Sequence, residues 1–71
     1  MKESLKQRFG KNMAFYRANA KLTQEELAER CDVSVETISH IERGIHGPRF
    51  DLLETLAVVL QVEVKQLFEF S

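Results

Sequence analysis

The chain has 71 residues, room for one domain, and a domain this small buries only about 60% of the surface its unfolded chain exposes. Ten Lys and Arg stand against eleven Asp and Glu for a net charge of -1, with 44% hydrophobic and 30% charged residues. That balance excludes a disordered tail and argues against a nonspecific polyanion binder, while leaving a local basic face open.

No apolar stretch approaches the roughly 18 residues of a membrane span, and MKESLKQRFG lacks the signal-peptide pattern, so a cytoplasmic protein is expected. Cys31 is the single cysteine and has no disulfide or zinc-pairing partner. It reads as a small buried apolar residue at a helix end, with a reactive thiol as the alternative. His40 and His46 lie six apart with no carboxylate or cysteine arranged beside them as ligands, so neither a metal nor a cofactor is expected.

A first helix is expected from about Ser4 to Ala18, because Leu5, Phe9, Met13 and Tyr16 recur at spacings of four, four and three on one face. Thr23-Gln24-Glu25-Glu26 is a capping box that starts a second helix, with Thr23 as N-cap and Glu26 reaching back to its amide. Leu27, Ala28 and Cys31 give that helix a narrow apolar face, and Asp32-Val33 ends it. Ser34 caps a third helix, Val35 to Arg43, which stops at Gly44. A fourth helix is expected from about Phe50 to Leu60, after Ile45-His46-Gly47-Pro48, and a short fifth around Val64 to Phe68. Nothing alternates with period two, so the expected fold is all-α, a compact five-helix domain spanning 1–71 with no sheet.

The third helix has two distinct sides. At about 100° per residue, Ile38, Ile41 and Ile45 gather on the core side, and Glu36, Ser39, His40 and Arg43 face out. Glu42 lies nearer the apolar side, where a carboxylate needs a cationic partner.

These residues resemble a known family. LTQEELAERCDVSVETISHIERG, followed by Pro48 and LLETLAVVLQVEV, is similar to the helix-turn-helix domain of the lambdoid phage repressors and Cro, the XRE-type transcriptional regulators. The resemblance runs from about Phe9 to Phe68 and places the helix-turn-helix at about 23–43. It implies that the third helix enters the major groove of double-stranded DNA, a palindromic operator being expected, while the second crosses the backbone. By position, Val35, Glu36, Thr37, Ser39 and His40 become the base-facing set. Thr23, Gln24, Ser34, Lys21 and Arg43 fall to the DNA backbone, and Arg49 either reaches the minor groove or is an ordinary solvated arginine. The family also pairs an arginine of helix one with the glutamate of Glu-Arg-Gly, here Arg17 with Glu42, which would meet the demand made by the periodicity.

Family members often place glycine where their helices end in a left-handed residue; this chain has Lys21, Asp32 and Gln61 there. Arg49 stands where helix four usually has a Ser or Thr cap. With Glu36 in the groove, affinity must come from flanking bases among Lys6, Lys11, Arg17, Lys21, Arg43 and Arg49.

The fourth helix is more apolar than so small a monomer needs. One stripe, Phe50, Leu53, Ala57 and Leu60, can cover the core. Val58 or Val59, with Phe68 and Phe70, is then available to a second subunit across a surface of about 52–70. Alternatively, helix one and the C-terminal tail cover both sides. Phe15 is either exposed or part of an interface. Three classes of function follow. The first is a stand-alone repressor or autoregulator, acting as a homodimer without a separate effector domain. The second is an antitoxin-like protein-interaction module, and a distant third is an enzyme. No nucleophile with a base, carboxylate pair or phosphate-binding loop supports catalysis, and no small-molecule pocket is evident.

Overall fold

The computed structural model describes residues 3–70, so the outermost residues of the expected 1–71 domain lie outside it. Four α-helices follow in order: α1 Leu5–Asn19, α2 Gln24–Cys31, α3 Val35–Glu42 and α4 Phe50–Leu60. The expected fifth helix is instead a 3-10 helix, Val64–Phe68, giving four α-helices rather than five. Five residues are too few to repay an α-helical nucleus, and short connectors commonly adopt the tighter turn. No strand occurs among the described residues.

Each of the first three helices starts on a side-chain cap. Ser4 accepts from the Gln7 amide at 3.2 Å while Gln7 Oε1 accepts from the Ser4 amide at 2.8 Å, a capping box absent from the sequence reading. Thr23 and Glu26 form the expected reciprocal pair at 3.0 and 2.8 Å, and Ser34 accepts from the Thr37 amide at 3.2 Å. α4 begins at Arg49 without a side-chain cap. Lys21, Asp32 and Gln61 all take the left-handed conformation, with φ of 62°, 58° and 59°.

One cluster of buried side chains draws on every element: Phe9 and Met13 of α1, Leu27, Ala28 and Cys31 of α2, Ile38 and Ile41 of α3. Leu22 just ahead of α2, Leu53, Leu56, Ala57 and Leu60 of α4 and Leu67 of the 3-10 helix complete it. Three expectations about this core need correction. Ile45 is 43% exposed, because the chain leaves the helical path at Gly44 (φ 78°) and the angular count stops applying. Phe50 is 84% exposed and Leu56 is fully buried. The stripe of α4 therefore centres on Leu53-Leu56-Ala57-Leu60, and Phe50 lies off its edge in the first turn. Leu5, also in a first turn, is 54% exposed.

The C-terminal segment is held by α1. Asn12 Nδ2 donates to the carbonyls of Leu67 and Glu69 at 3.0 and 2.9 Å. Phe68 packs on Phe9 with ring centroids 5.0 Å apart, and the Arg8 guanidinium sits 4.8 Å from the centroid of Phe70. α1 and α3 cross with their backbones almost in contact. A Cβ on Gly10 would lie 2.7 Å from the carbonyl oxygen of Glu42, and one on Gly44 would lie 2.9 Å from Gln7 Cα. Because both obstacles are backbone, Gly10→Ala should lower the unfolding free energy by about 2–3 kcal/mol in urea titration. A loss under 0.5 kcal/mol would mean that the crossing can open at no cost.

Candidate nucleic-acid interface

Three hydrogen-bonded groups fix how α3 is presented. Glu42 occupies the last position of α3 with its side chain only 7% exposed. Arg17 of α1 meets it through both faces of its fork: Nε donates to Oε2 at 2.6 Å and Nη2 to Oε1 at 3.1 Å. The third guanidinium nitrogen, Nη1, donates to the Leu22 carbonyl at 2.8 Å. Hydrogen bonding to Glu42 holds the Arg17 guanidinium above its usual range, and partial burial acts against it. Charge-assisted bidentate geometry of this kind supplies the donors that a nearly buried carboxylate needs.

Gln24, assigned to phosphate by resemblance, has turned inward. Its Nε2 donates to Glu42 Oε1 at 3.0 Å, so Glu42 collects donors from both α1 and α2. This second partner of Glu42 was not expected from the sequence. The signal for it is the first-turn position of Gln24, whose long side chain is free to fold back across the second helix.

The remaining residues divide by location. Val35 and Glu36 are exposed, and Ser39 and His40 half-buried, on the outward side of α3. Thr37 departs from this group. It is half-buried, with its hydroxyl 3.0 Å from that of Ser34, and it faces an open groove between α3 and α4. That groove, about 700 Å³, is walled by Thr37, His40, His46, Arg49, Asp51 and Thr55 over a floor that includes Val33, Ile41 and Leu52. His40 and His46 meet edge to face with centroids 5.4 Å apart, so Arg49, Thr37 and His40 belong to one surface and His46 joins them. Sequence spacing alone could not pair the two histidines, because the turn at Gly44 and the loop beyond it bring them together.

Thr23 and Ser34 spend an oxygen lone pair on their helix caps, although each hydroxyl can still donate outward. The Thr23 backbone amide, then its hydroxyl, holds the Glu26 carboxyl below the usual carboxylate range. The first turn of α2 thus carries two acids, Glu25 and Glu26, which offset the positive end of that helix. Lys21, Arg43 and Arg49 are exposed and have no ion-pair partner among the described residues, whereas Lys11 pairs with Glu3. Burial raises the Cys31 thiol above its ordinary value, which fits a packed rather than a reactive cysteine. Among the described residues no group of three or more His, Cys, Asp or Glu is placed to hold a metal ion, and no helix is long and apolar enough to cross a membrane.

Two short helices joined at a left-handed Asp32, with the second offering an outward polar face, define a helix-turn-helix unit. A profile of the helix-turn-helix family matches residues 13–67. The chain belongs to that family, in its Cro/C1 (XRE) branch, a family of DNA-binding transcriptional regulators. It is 32% identical to the control protein C.BamHI of Bacillus amyloliquefaciens over 100% of this chain and 89% of that protein. The crystal structure of the restriction-modification controller protein C.AhdI from Aeromonas hydrophila superposes with a TM-score of 0.85 at 27% identity, covering 89% of this chain and 96% of that one. SinR, the master regulator for biofilm formation, in complex with DNA, superposes at 0.81 with 32% identity, covering 86% and 98%.

Removing the charge of Arg17 leaves Glu42 enclosed without its principal partner. Arg17→Met should therefore cost roughly 3 kcal/mol of stability in chemical denaturation; a midpoint that scarcely moves would show the pair to be dispensable.

Proposed function

We propose that the chain binds double-stranded DNA sequence-specifically as a homodimer, with α3 in the major groove, and acts as a small repressor or autoregulator. The observation that carries this reading is the state of α3: its inward acid is consumed by Arg17 and Gln24, while its outward side is open to solvent. Glu36 is then the one carboxylate on the reading face. Val35 suits a thymine methyl, Glu36 can accept from the cytosine N4 amine, and His40 can donate to guanine O6 or N7. Ser39 adds a partner of low selectivity. Lys21, Arg43 and Arg49 supply phosphate contacts, with the outward-donating hydroxyls of Thr23 and Ser34 beside them. SinR, of the same fold, was crystallised with DNA, which supports this use of the helices.

Selection from a random duplex library, followed by gel shifts at two salt concentrations, tests this function. A preferred sequence whose binding weakens steeply with salt is expected; no binding at low salt would remove the proposal. Within that assay, Glu36→Gln should tighten binding to scrambled duplex and blur the preference at one base pair. Retention of the full wild-type preference would strip Glu36 of a reading role.

The homodimer surface shifts from its sequence expectation. Val59 is half-buried against the core, and Phe68 and Phe70 pack on α1 residues. Val58 is 76% exposed and lies on the same side of α4 as Glu54 and Phe50, one and two turns earlier. This exposed stripe is the better candidate for pairing two subunits on half-sites about 34 Å apart. Val58→Lys should shift the sedimentation profile towards monomer and weaken binding to the preferred duplex without lowering the melting temperature. An unchanged profile would move the interface elsewhere.

A further inference from the structure

We propose that Gln24 is a positioning residue for α3, acting through Glu42 to set the angle of the reading helix, rather than serving only as a phosphate ligand. The proposal rests on the DNA-reading function argued above. α2 and α3 are hinged at residues 32–34, where the left-handed Asp32 and the Ser34 cap fix the corner. Gln24 is the first residue of α2 and Glu42 the last of α3, so the two lie at the ends furthest from that hinge. Each helix has eight residues and is about 12 Å long. A constraint at the far ends therefore has the longest available lever: a slip of about 1 Å there tilts α3 by about 5°.

The bond is built to resist that slip. Gln24 Nε2 reaches Glu42 Oε1 at 3.0 Å, the same oxygen that takes Arg17 Nη2 at 3.1 Å. Arg17 is itself tied to the Leu22 carbonyl just ahead of α2, and the Gly10 backbone abuts the carbonyl of Glu42. The carboxylate cannot follow Gln24 outward without breaking the Arg17 fork. Conversely, a Gln24 turned to phosphate releases the tie between α2 and α3. Base readout needs side chains held to within about 0.5 Å by a supporting shell, and at this end of α3 the shell is Gln24, Arg17 and Glu42.

The two roles predict different losses. Removing a phosphate contact lowers affinity uniformly across sequences, whereas removing a positioning contact lowers it on the preferred sequence alone. Gln24→Met keeps the length and removes the donor; Gln24→Asn keeps the amide but is one methylene too short to reach Glu42, and it serves if the Met variant does not fold. For the full chain, the dissociation constants of the library-selected duplex and of a scrambled duplex would be measured at one salt concentration. The Arg17 Nε–H resonance would be followed by 1H–15N NMR without DNA.

Either variant should lower the ratio of selected to scrambled affinity about tenfold, with scrambled binding held within about twofold. The Arg17 Nε–H resonance should shift and exchange faster with solvent. An equal loss on both duplexes, an undiminished ratio, or an unmoved Arg17 resonance would overturn the positioning role. If the wild-type chain enriches no sequence at all, the DNA-reading function fails first and the proposal falls with it. That outcome is distinct from a selective wild type whose Gln24 variants remain equally selective.

Discussion

The Glu42 carboxylate is the point at which three helices are joined. It closes α3, takes both arms of the Arg17 fork from α1, and receives the Gln24 amide from α2. In a core of this size the apolar contacts alone define a volume more firmly than an orientation, because similar side chains pack at several angles. Directional bonds to a nearly buried carboxylate remove that freedom. A carboxylate enclosed without donors would be costly, so the arrangement tolerates few alternatives to the observed packing. Gly10 is part of the same constraint: the helix crossing that brings Arg17 to Glu42 is close enough to exclude any Cβ at that residue.

This junction also resolves the apparent conflict between an acidic third helix and a polyanionic partner. Asp32 serves the turn, where its left-handed backbone substitutes for glycine. Glu42 is turned inside. Glu36 alone of the three acids remains on the outward side of α3. In the proposed reading role, one carboxylate there would reject bases and phosphates in the wrong place, at the cost of intrinsic affinity. Glu25 and Glu26 reduce the attraction of the α2 N-terminus for phosphate as well. Under the proposed function, binding by such a surface would draw on the exposed bases at its edges and on pairing of two subunits, which multiplies weak half-site affinities.

Much of this was legible in the sequence because it is written in local rules. The Thr23-Glu26 box, the Ser34 cap and the stop at Gly44 depend on residues within one turn of each other, and α2 and α3 start where these rules place them. The three non-glycine residues at left-handed positions were also visible, as departures from a family habit. The errors fall where the helical angle ceases to govern. Ile45 lies past the left-handed Gly44, Leu5 and Phe50 lie in first turns that overhang the core, and the last element tightened to a 3-10 helix. Gln24 illustrates a separate limit. Its position is equally good for reaching a phosphate or its own neighbour, and only the three-dimensional placement of Glu42 decides which contact forms in the free protein.

The groove between α3 and α4 lies beside the outward side of α3. Thr37 and His40 approach it from the helix, and His46, Arg49 and Asp51 from the loop and the uncapped start of α4. Arg49 has no acceptor to offer the first-turn amides of α4, so its side chain is left to the groove, and the absent cap is a small stability cost of about 1 kcal/mol. A Ser or Thr there would reverse the exchange, strengthening α4 and removing a positive charge beside the histidine pair. The chain thus lacks local stability at one helix start, where Arg49 sets a positive charge in a groove whose lining holds one acid, Asp51. It spends directional bonding at Glu42, where orientation matters more than charge.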